Sequence, residues 1–245
     1  MEDDLSRTFR YAADFYLSRL KLILVFSVPF IFAFLIPILV PAPTYTALGG
    51  VFLRTGSFPE LSLLDILITA IAYAFTVFII SDTIVNINIV IRSKRTLTSI
   101  RHEVLSAMGT YATRIFYIYT MALLLFFIAQ LVTYDNPYQP LLYSVFALVI
   151  SGLLFFVPPA VVIDNSDTPT AIRRSVAMAL RNPHLVLLWI LVALLSLSGL
   201  KLVADLVFAS PFSGYFVLLI NSLLLLPFLT VLQTQMYMER YPLAR

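Results

Sequence analysis

The chain has 245 residues, of which 60% are hydrophobic and 12% charged, with a formal charge of +3 and no cysteine. A soluble domain carries about 25% charged residues, so this composition excludes a protein that covers itself with polar surface in water. The missing cysteine excludes disulfides, thiolate metal sites and cysteine nucleophiles. Several apolar runs reach the roughly 20 residues that cross about 30 Å of hydrocarbon as a helix. They are continuous rather than alternating, which predicts an all-α polytopic membrane protein, not a β-barrel.

In chain order, Leu5, Phe9, Ala13, Tyr16, Leu17 and Leu20 form one helical stripe, with Arg7, Arg10, Asp14, Ser18 and Lys21 opposite. The spacing predicts an interfacial helix at the start of the chain. Leu22–Val40 reads as the first span, too long for a signal peptide's apolar region and preceded by Glu2, Asp3 and Asp4. A loop over Ala42–Glu60 follows, the longest expected in the chain. The second span is read from Leu61 to Ile91, the third from Arg114 to Val132, the fourth from Leu141 to Ile163, the fifth from His184 to Val207 and the sixth from Tyr215 to Met236. Between the second and third, Leu97, Ile100, Val104, Ala107, Met108 and Tyr111 make another stripe. Between the fourth and fifth, Asp167 or Thr168 caps a helix with Pro169 in its first turn. In that helix Ile172, Val176, Ala179 and Leu180 are expected on the apolar face and Arg173, Arg174 and Arg181 away from it.

Thr96, Thr98, Ile100, Arg101, Val104 and Met108 match Thr168, Thr170, Ile172, Arg173, Val176 and Leu180 at a constant offset. Such self-similarity calls for a repeat: three units, 1–92, 93–164 and 165–245, each an amphipathic helix with two spans. Chance is the alternative, because basic helices before spans look alike. Of the 16 lysines and arginines only Arg54 and Lys201 fall on one side of this six-span topology. That places both termini and the three amphipathic helices in the cytoplasm of a multi-pass cell-membrane protein.

Asp82 stands deep in an apolar segment, with Asn86 and Asn88 on the following turns. An ionisable group at membrane depth is a functional hypothesis by default, and Asp82 and Asn86 share a face, as a proton- or cation-binding row would. The plainer reading ends the span near Ile80 and leaves Asp82 at the interface as a packing partner. Under the repeat, Asp82, Pro158 and Pro227 are each followed six residues later by a polar group: Asn88, Asp164 and Gln233. Broken helices converging on one axis are how transporters place their sites; kinks without a ligand are the commoner outcome. Lys201 and Asp205, four apart, are expected to pair, and Gln130, Asn221 and Gln233 to bond between helices.

Arg101, Arg173, Arg174 and Arg181 are the candidate contacts to anionic lipid or a protein partner. His102 and His184 are isolated, and no metal-ligand, phosphate-loop or serine-elbow pattern occurs; no cofactor, no nucleic-acid partner and no enzyme activity is expected. Spans rich in Leu, Ile and Phe do not nominate a tight self-association face for a homo-oligomer. The leading expectation is membrane transport or membrane homeostasis, passing or binding a small solute, ion or lipid at Asp82, Asn86 and Asn88. The alternative is a non-transporting scaffold acting through the basic helices.

The run Phe-Val-Pro-Pro-Ala-Val-Val-Ile-Asp-Asn over Phe156–Asn165, then Thr-x-x-Ala-Ile-Arg-Arg-Ser from Thr168, and the ending over Gln235–Arg240 resemble a loose group of little-characterised bacterial and archaeal six-span proteins. That group includes the membrane domain attached to some glycerophosphoryl diester phosphodiesterases. The resemblance covers roughly the C-terminal third and implies a fold and a membrane role. It carries over no phosphodiesterase activity, since the chain has no soluble catalytic domain.

Overall fold

In a computed structural model of the chain, residues 2–36, 43–48, 51–56, 63–96, 108–133 and 136–240 are described. Helix α1 (Glu2–Ser18) meets α2 (Leu20–Leu35) at Arg19 with a bend of 89°. Within the loop expected over Ala42–Glu60, β1 (Pro43–Leu48) pairs antiparallel with β2 (Val51–Gly56), with Leu48 opposite Val51. Among the described residues everything else regular is helical: α3 (Leu63–Thr96), α4 (Thr113–Val132) after a π turn over Met108–Ala112, α5 (Gln139–Leu153), α6 (Val157–Val162), α7 (Thr168–Arg181), α8 (Pro183–Val207), α9 (Phe212–Ile220), a π turn over Asn221–Leu225, and α10 (Leu226–Arg240).

Among the described residues five stretches are long and apolar enough to cross a membrane, or six if the bent α1–α2 pair counts as one: Leu67–Ser93, Gly109–Val132, Gln139–Val162, Pro183–Val207 and Phe212–Glu239. The first and third expected amphipathic helices are α1 and α7. The second, with Arg101 and His102, falls outside the described residues. Helix α3 packs against α2, α4, α6 and α10, and its C-terminal half is buried from Ile80 to Ile91 with only Asp82 partly exposed.

The packed faces of α1 and α7 depart from expectation by one residue. On α1 the buried side chains are Thr8, Ala12, Phe15 and Tyr16, while Leu17 is exposed; on α7 they are Ala171, Ser175, Met178 and Ala179, while Leu180 is exposed. The hydrophobic stripe points in water toward the core, but where one side of a helix meets acyl chains the largest apolar residues can face outward. Small residues then serve the helix contact, because they let backbones approach. Ala33, Ala112, Ala122, Ala147 and Ala160 repeat the pattern at buried positions.

The expected fourth span is broken at Leu154–Phe156, between α5 and α6. Pro158 and Pro159 have no N–H to return to the preceding turn, and a freed carbonyl in an apolar interior costs several kcal/mol if left alone, ~2 or more on transfer scales. Other helices supply the partners. Ser175 on α7 donates its hydroxyl to the Leu153 carbonyl at 2.6 Å and accepts the Phe156 N–H at 3.0 Å. Gln233 on α10 donates its amide to the Phe155 carbonyl, and Trp189 on α8 stacks edge-on to Phe155 while donating to the Leu229 carbonyl at 2.8 Å. Replacing Gln233 by Leu is therefore expected to lower stability by about 1–3 kcal/mol, the cost of an orphaned buried acceptor. Adding Pro159→Ala, which restores a backbone donor one turn from Phe155, should return part of that loss in thermal unfolding of the detergent-solubilised protein. No recovery would show that the break is held by something other than this bond.

Pro227 produces the matching irregularity in the last span. The π turn over Asn221–Leu225 lies just ahead of it, and the Tyr16 hydroxyl donates to the Leu224 carbonyl at 3.1 Å while its ring meets Phe228 edge-on at 5.6 Å. A side chain of α1 thus bonds the backbone just ahead of the C-terminal helix and ties the two helices together. The Thr8 hydroxyl adds a second tie by donating to Glu239.

Candidate functional site

Asp82 and Asn86 stand one turn apart on α3, and the Asn86 amide donates to the Asp82 carboxylate at 3.0 Å. The other carboxylate oxygen of Asp82 and the carbonyl oxygen of Asn86 are buried and accept from nothing. Asn86 is only 6% exposed, so its oxygen has no water shell to fall back on. Each of the two residues thus keeps one buried acceptor oxygen without a partner. Buried acceptors are nearly always satisfied in folded proteins, which singles out this pair as the candidate site. On the neighbouring α4 the hydroxyls of Tyr119 and Thr120 are likewise buried and unbonded, as is that of Thr76 on α3.

Asn88 is elsewhere. Its position, two residues beyond Asn86, turns it to another side of α3, where its amide donates to the Ile84 carbonyl at 2.8 Å and its oxygen accepts from Thr234 of α10 at 2.6 Å. Fully buried and fully bonded, it joins α3 to α10. The structure brings together two of the three residues of the expected ligand row and gives the third to helix packing.

Asn88, Asp164 and Gln233 do converge, around α10. Gln233 reaches Phe155, Thr234 reaches Asn88, and the Tyr237 hydroxyl donates to Asp164 at 2.6 Å. Each of the three side chains here bonds to another element, so convergence joins helices, although one carboxylate oxygen of Asp164 is left without a partner.

The turn between α6 and α7 is the second polar centre. Asn165 takes the left-handed backbone conformation, φ 50, which asparagine tolerates better than most residues. Arginines from three helices grip this turn. Arg92 at the end of α3 donates to the Val162 carbonyl at 2.9 Å and to the Tyr111 hydroxyl at 2.7 Å. Arg114 on α4 donates to the Ser166 carbonyl at 3.0 Å. Arg174 on α7 donates to Asp164 at 2.9 Å and to the Ser166 hydroxyl at 2.8 Å. The guanidinium groups of Arg92 and Arg114 lie 5.6 and 5.9 Å from the Tyr111 ring centre, within cation–π range. Of the four arginines expected to contact lipid or a partner, Arg174 is thus engaged inside the chain, Arg173 and Arg181 are exposed, and Arg101 lies outside the described residues. Sequence spacing gave no sign of the Asp164–Arg174–Tyr237 cluster, because its members come from a turn and two separate helices.

Lys201 and Asp205 pair at 2.5 Å on the exposed face of α8, as their spacing predicts. Both are half exposed and lie on the helix whose apolar window is only 11% buried.

Fold and site together define a helical chain whose long apolar helices have the length and composition of membrane spans. Compared with protein-family models, with curated proteins and with solved structures, the chain has no match.

Proposed function

We propose that the protein is a six-span membrane protein that binds and passes a proton or small monovalent cation at Asp82 and Asn86. The observation that carries this reading is the pair of buried, unbonded oxygens on adjacent turns of α3. Depth supports it. Ile91 of α3 lines the same cleft as Phe15 and Ser18 of α1, which on this reading is a surface helix on the cytoplasmic side. Asp82 is nine residues further in, roughly 13 Å at 1.5 Å per residue, which is near the middle of about 30 Å of hydrocarbon. On this reading the bent α1–α2 pair is the sixth crossing, and the strong bias of lysine and arginine to one side supports a cytoplasmic location for both termini. The threefold repeat fits this arrangement, with α1 and α7 as two of its three surface helices. The test is reconstitution into sealed vesicles with an imposed proton, sodium or potassium gradient: protein-dependent flux of one of them is expected, and vesicles that leak no faster than empty ones under all three gradients would end the reading.

Arg173 and Arg181, exposed on α7, favour a second reading in which this helix holds anionic lipid. Charge reversal at both positions should then abolish binding to vesicles containing an anionic phospholipid while leaving flux untouched.

A further inference from the structure

Helix α8 is the least covered of the apolar spans among the described residues: 11% of its apolar window is buried, against 33 to 72% in the others. It packs against α7, α9 and α10. On its uncovered side Leu187, Leu191, Leu194, Ser198, Lys201 and Asp205 are all exposed and recur at steps of four, three, four, three and four. That is the heptad spacing of a seam between two helices. Two features of this stripe serve no purpose against acyl chains. Lys201 and Asp205 are the two charged side chains of α8, paired at 2.5 Å and ringed by exposed Leu202, Val203, Leu206 and Val207; charges set in a lipid-facing apolar surface are costly. Ser198-Gly199 interrupts the leucines, and a helical glycine costs about 1 kcal/mol relative to alanine. A Cβ at Gly199 would meet nothing beyond its own helix backbone within 4 Å, so no described part of the chain uses the space. Small residues in a membrane helix let a second backbone approach.

We infer that α8 is the contact between two copies of this chain, crossing its counterpart at Ser198-Gly199, with the two Lys201–Asp205 pairs joined in one ring of four charges. Copies inserted the same way up in one membrane are related by a two-fold axis along the membrane normal, so the two α8 helices run parallel and each seam residue meets its own counterpart. Lysine facing lysine alone would repel. Asp205 stands one turn away, roughly 5.4 Å along the axis, so each ammonium falls between its own carboxylate and the partner's Asp205, and opposite signs alternate around the ring. The groups have the capacity for this: an ammonium carries three donors and a carboxylate about four acceptor sites. Within the chain Lys201 bonds to Asp205, and Asp205 also to Ser213, which leaves donors and acceptors over on both. A face with one positive and one negative charge at the same level suits a copy of itself. Acyl chains would pair neither, and a partner of single sign would leave one unpaired. The contact requires the membrane embedding proposed above, but neither Asp82 nor the arginine-held turn takes part in it.

The chain has no cysteine, so a single introduced one can form a disulfide only between copies. Full-length protein in lipid vesicles, oxidised and run on a non-reducing gel, should give a dimer from Leu194→Cys and from Ser198→Cys. Leu124→Cys, at a similarly exposed position on α4, should stay monomeric. In the Leu194→Cys background, Lys201→Asp and Asp205→Lys should each weaken dimerisation by roughly tenfold or more, since a charge-assisted bond is lost and like charges are opposed. Reconstituted together with different tags, these two variants should crosslink to each other, the acidic face meeting the basic one. Each lacks the internal ion pair, so recovery on mixing can come only from charges across the contact. Gly199→Leu adds bulk where the chain has none and should break the dimer without lowering the melting temperature, which decides the matter if the charge variants do not fold. Asp82→Asn should dimerise like the unaltered chain, which separates the contact from the proposed cation path. Crosslinking no stronger at Leu194→Cys than at Leu124→Cys, a dimer indifferent to Gly199→Leu, or no recovery on mixing would overturn the inference.

Discussion

Vesicles carrying Asp82→Asn should lose proton or cation flux by on the order of 100-fold, the usual contribution of a positioned proton-transferring group, while the protein melts at or above the wild-type temperature. Asparagine has the shape of aspartate and can keep the hydrogen bond with Asn86, now 3.0 Å long, so packing around α3 is preserved. What disappears is the capacity to gain and lose a proton or to neutralise a bound cation. A carboxylate among apolar residues is also costly to hold, and removing its charge relieves the fold. Loss of flux without loss of stability is the signature of a working group. If flux is unchanged and the variant is merely more stable, Asp82 is a packing residue. A companion change, Asn86→Leu, removes the neighbouring donor and acceptor, and should also reduce flux while destabilising the chain, because Asp82 is then left with no bond on α3.

The largest effect on stability is expected at Arg174. Asp164 is buried, 4% exposed, and accepts from Arg174 and Tyr237 through one oxygen; its other oxygen has no partner. Arg174→Ala leaves that buried carboxylate with only the Tyr237 hydroxyl and should cost about 3–5 kcal/mol, as removing one member of an ion pair does when its partner stays buried. For a chain of this size that is roughly 6–20 °C of melting temperature. Asp164→Asn should cost less, because the Arg174 side chain is one-third exposed and can turn to water. The double variant Asp164→Asn with Arg174→Met is expected to be more stable than Arg174→Ala alone, since no buried charge is left over. The double-mutant cycle should return a coupling of about 1–3 kcal/mol. Additive losses would mean that the pair does not act as a unit.

Much of the architecture was legible because it rests on run length and charge placement. Leu67–Ser93 and Pro183–Val207 announce themselves by continuous hydrophobicity, and α7 opens at Asp167-Thr168-Pro169 as expected, although no side-chain cap bond forms there. The faces of the surface helices were not legible. Periodicity ranks Leu17 and Leu180 as core and Thr8 and Ser175 as exterior, and the structure reverses both. A pattern of apolar residues cannot say whether apolar means protein or lipid. It also cannot see that Ser175 is needed at a helix break nineteen residues earlier in the chain. At the candidate site, Asp82 and Asn86 followed from helical spacing alone. Asn88 was grouped with them by proximity in sequence, and only its bond to Thr234, distant in the chain, shows where it belongs. The Asp164 cluster was invisible for the same reason: side chains from a turn and two helices meet there, and no local pattern encodes it.

The break before Pro158-Pro159 also has a consequence for how the protein is made. Its exposed carbonyls are satisfied by Ser175 and Gln233, residues that leave the ribosome after the segment they mend. The crossing that contains the break therefore enters the bilayer incomplete, and is finished only when the C-terminal helix docks. A ribosome that stops short of that helix leaves behind a half-built bundle with raw backbone facing oil, a ready mark for membrane quality control.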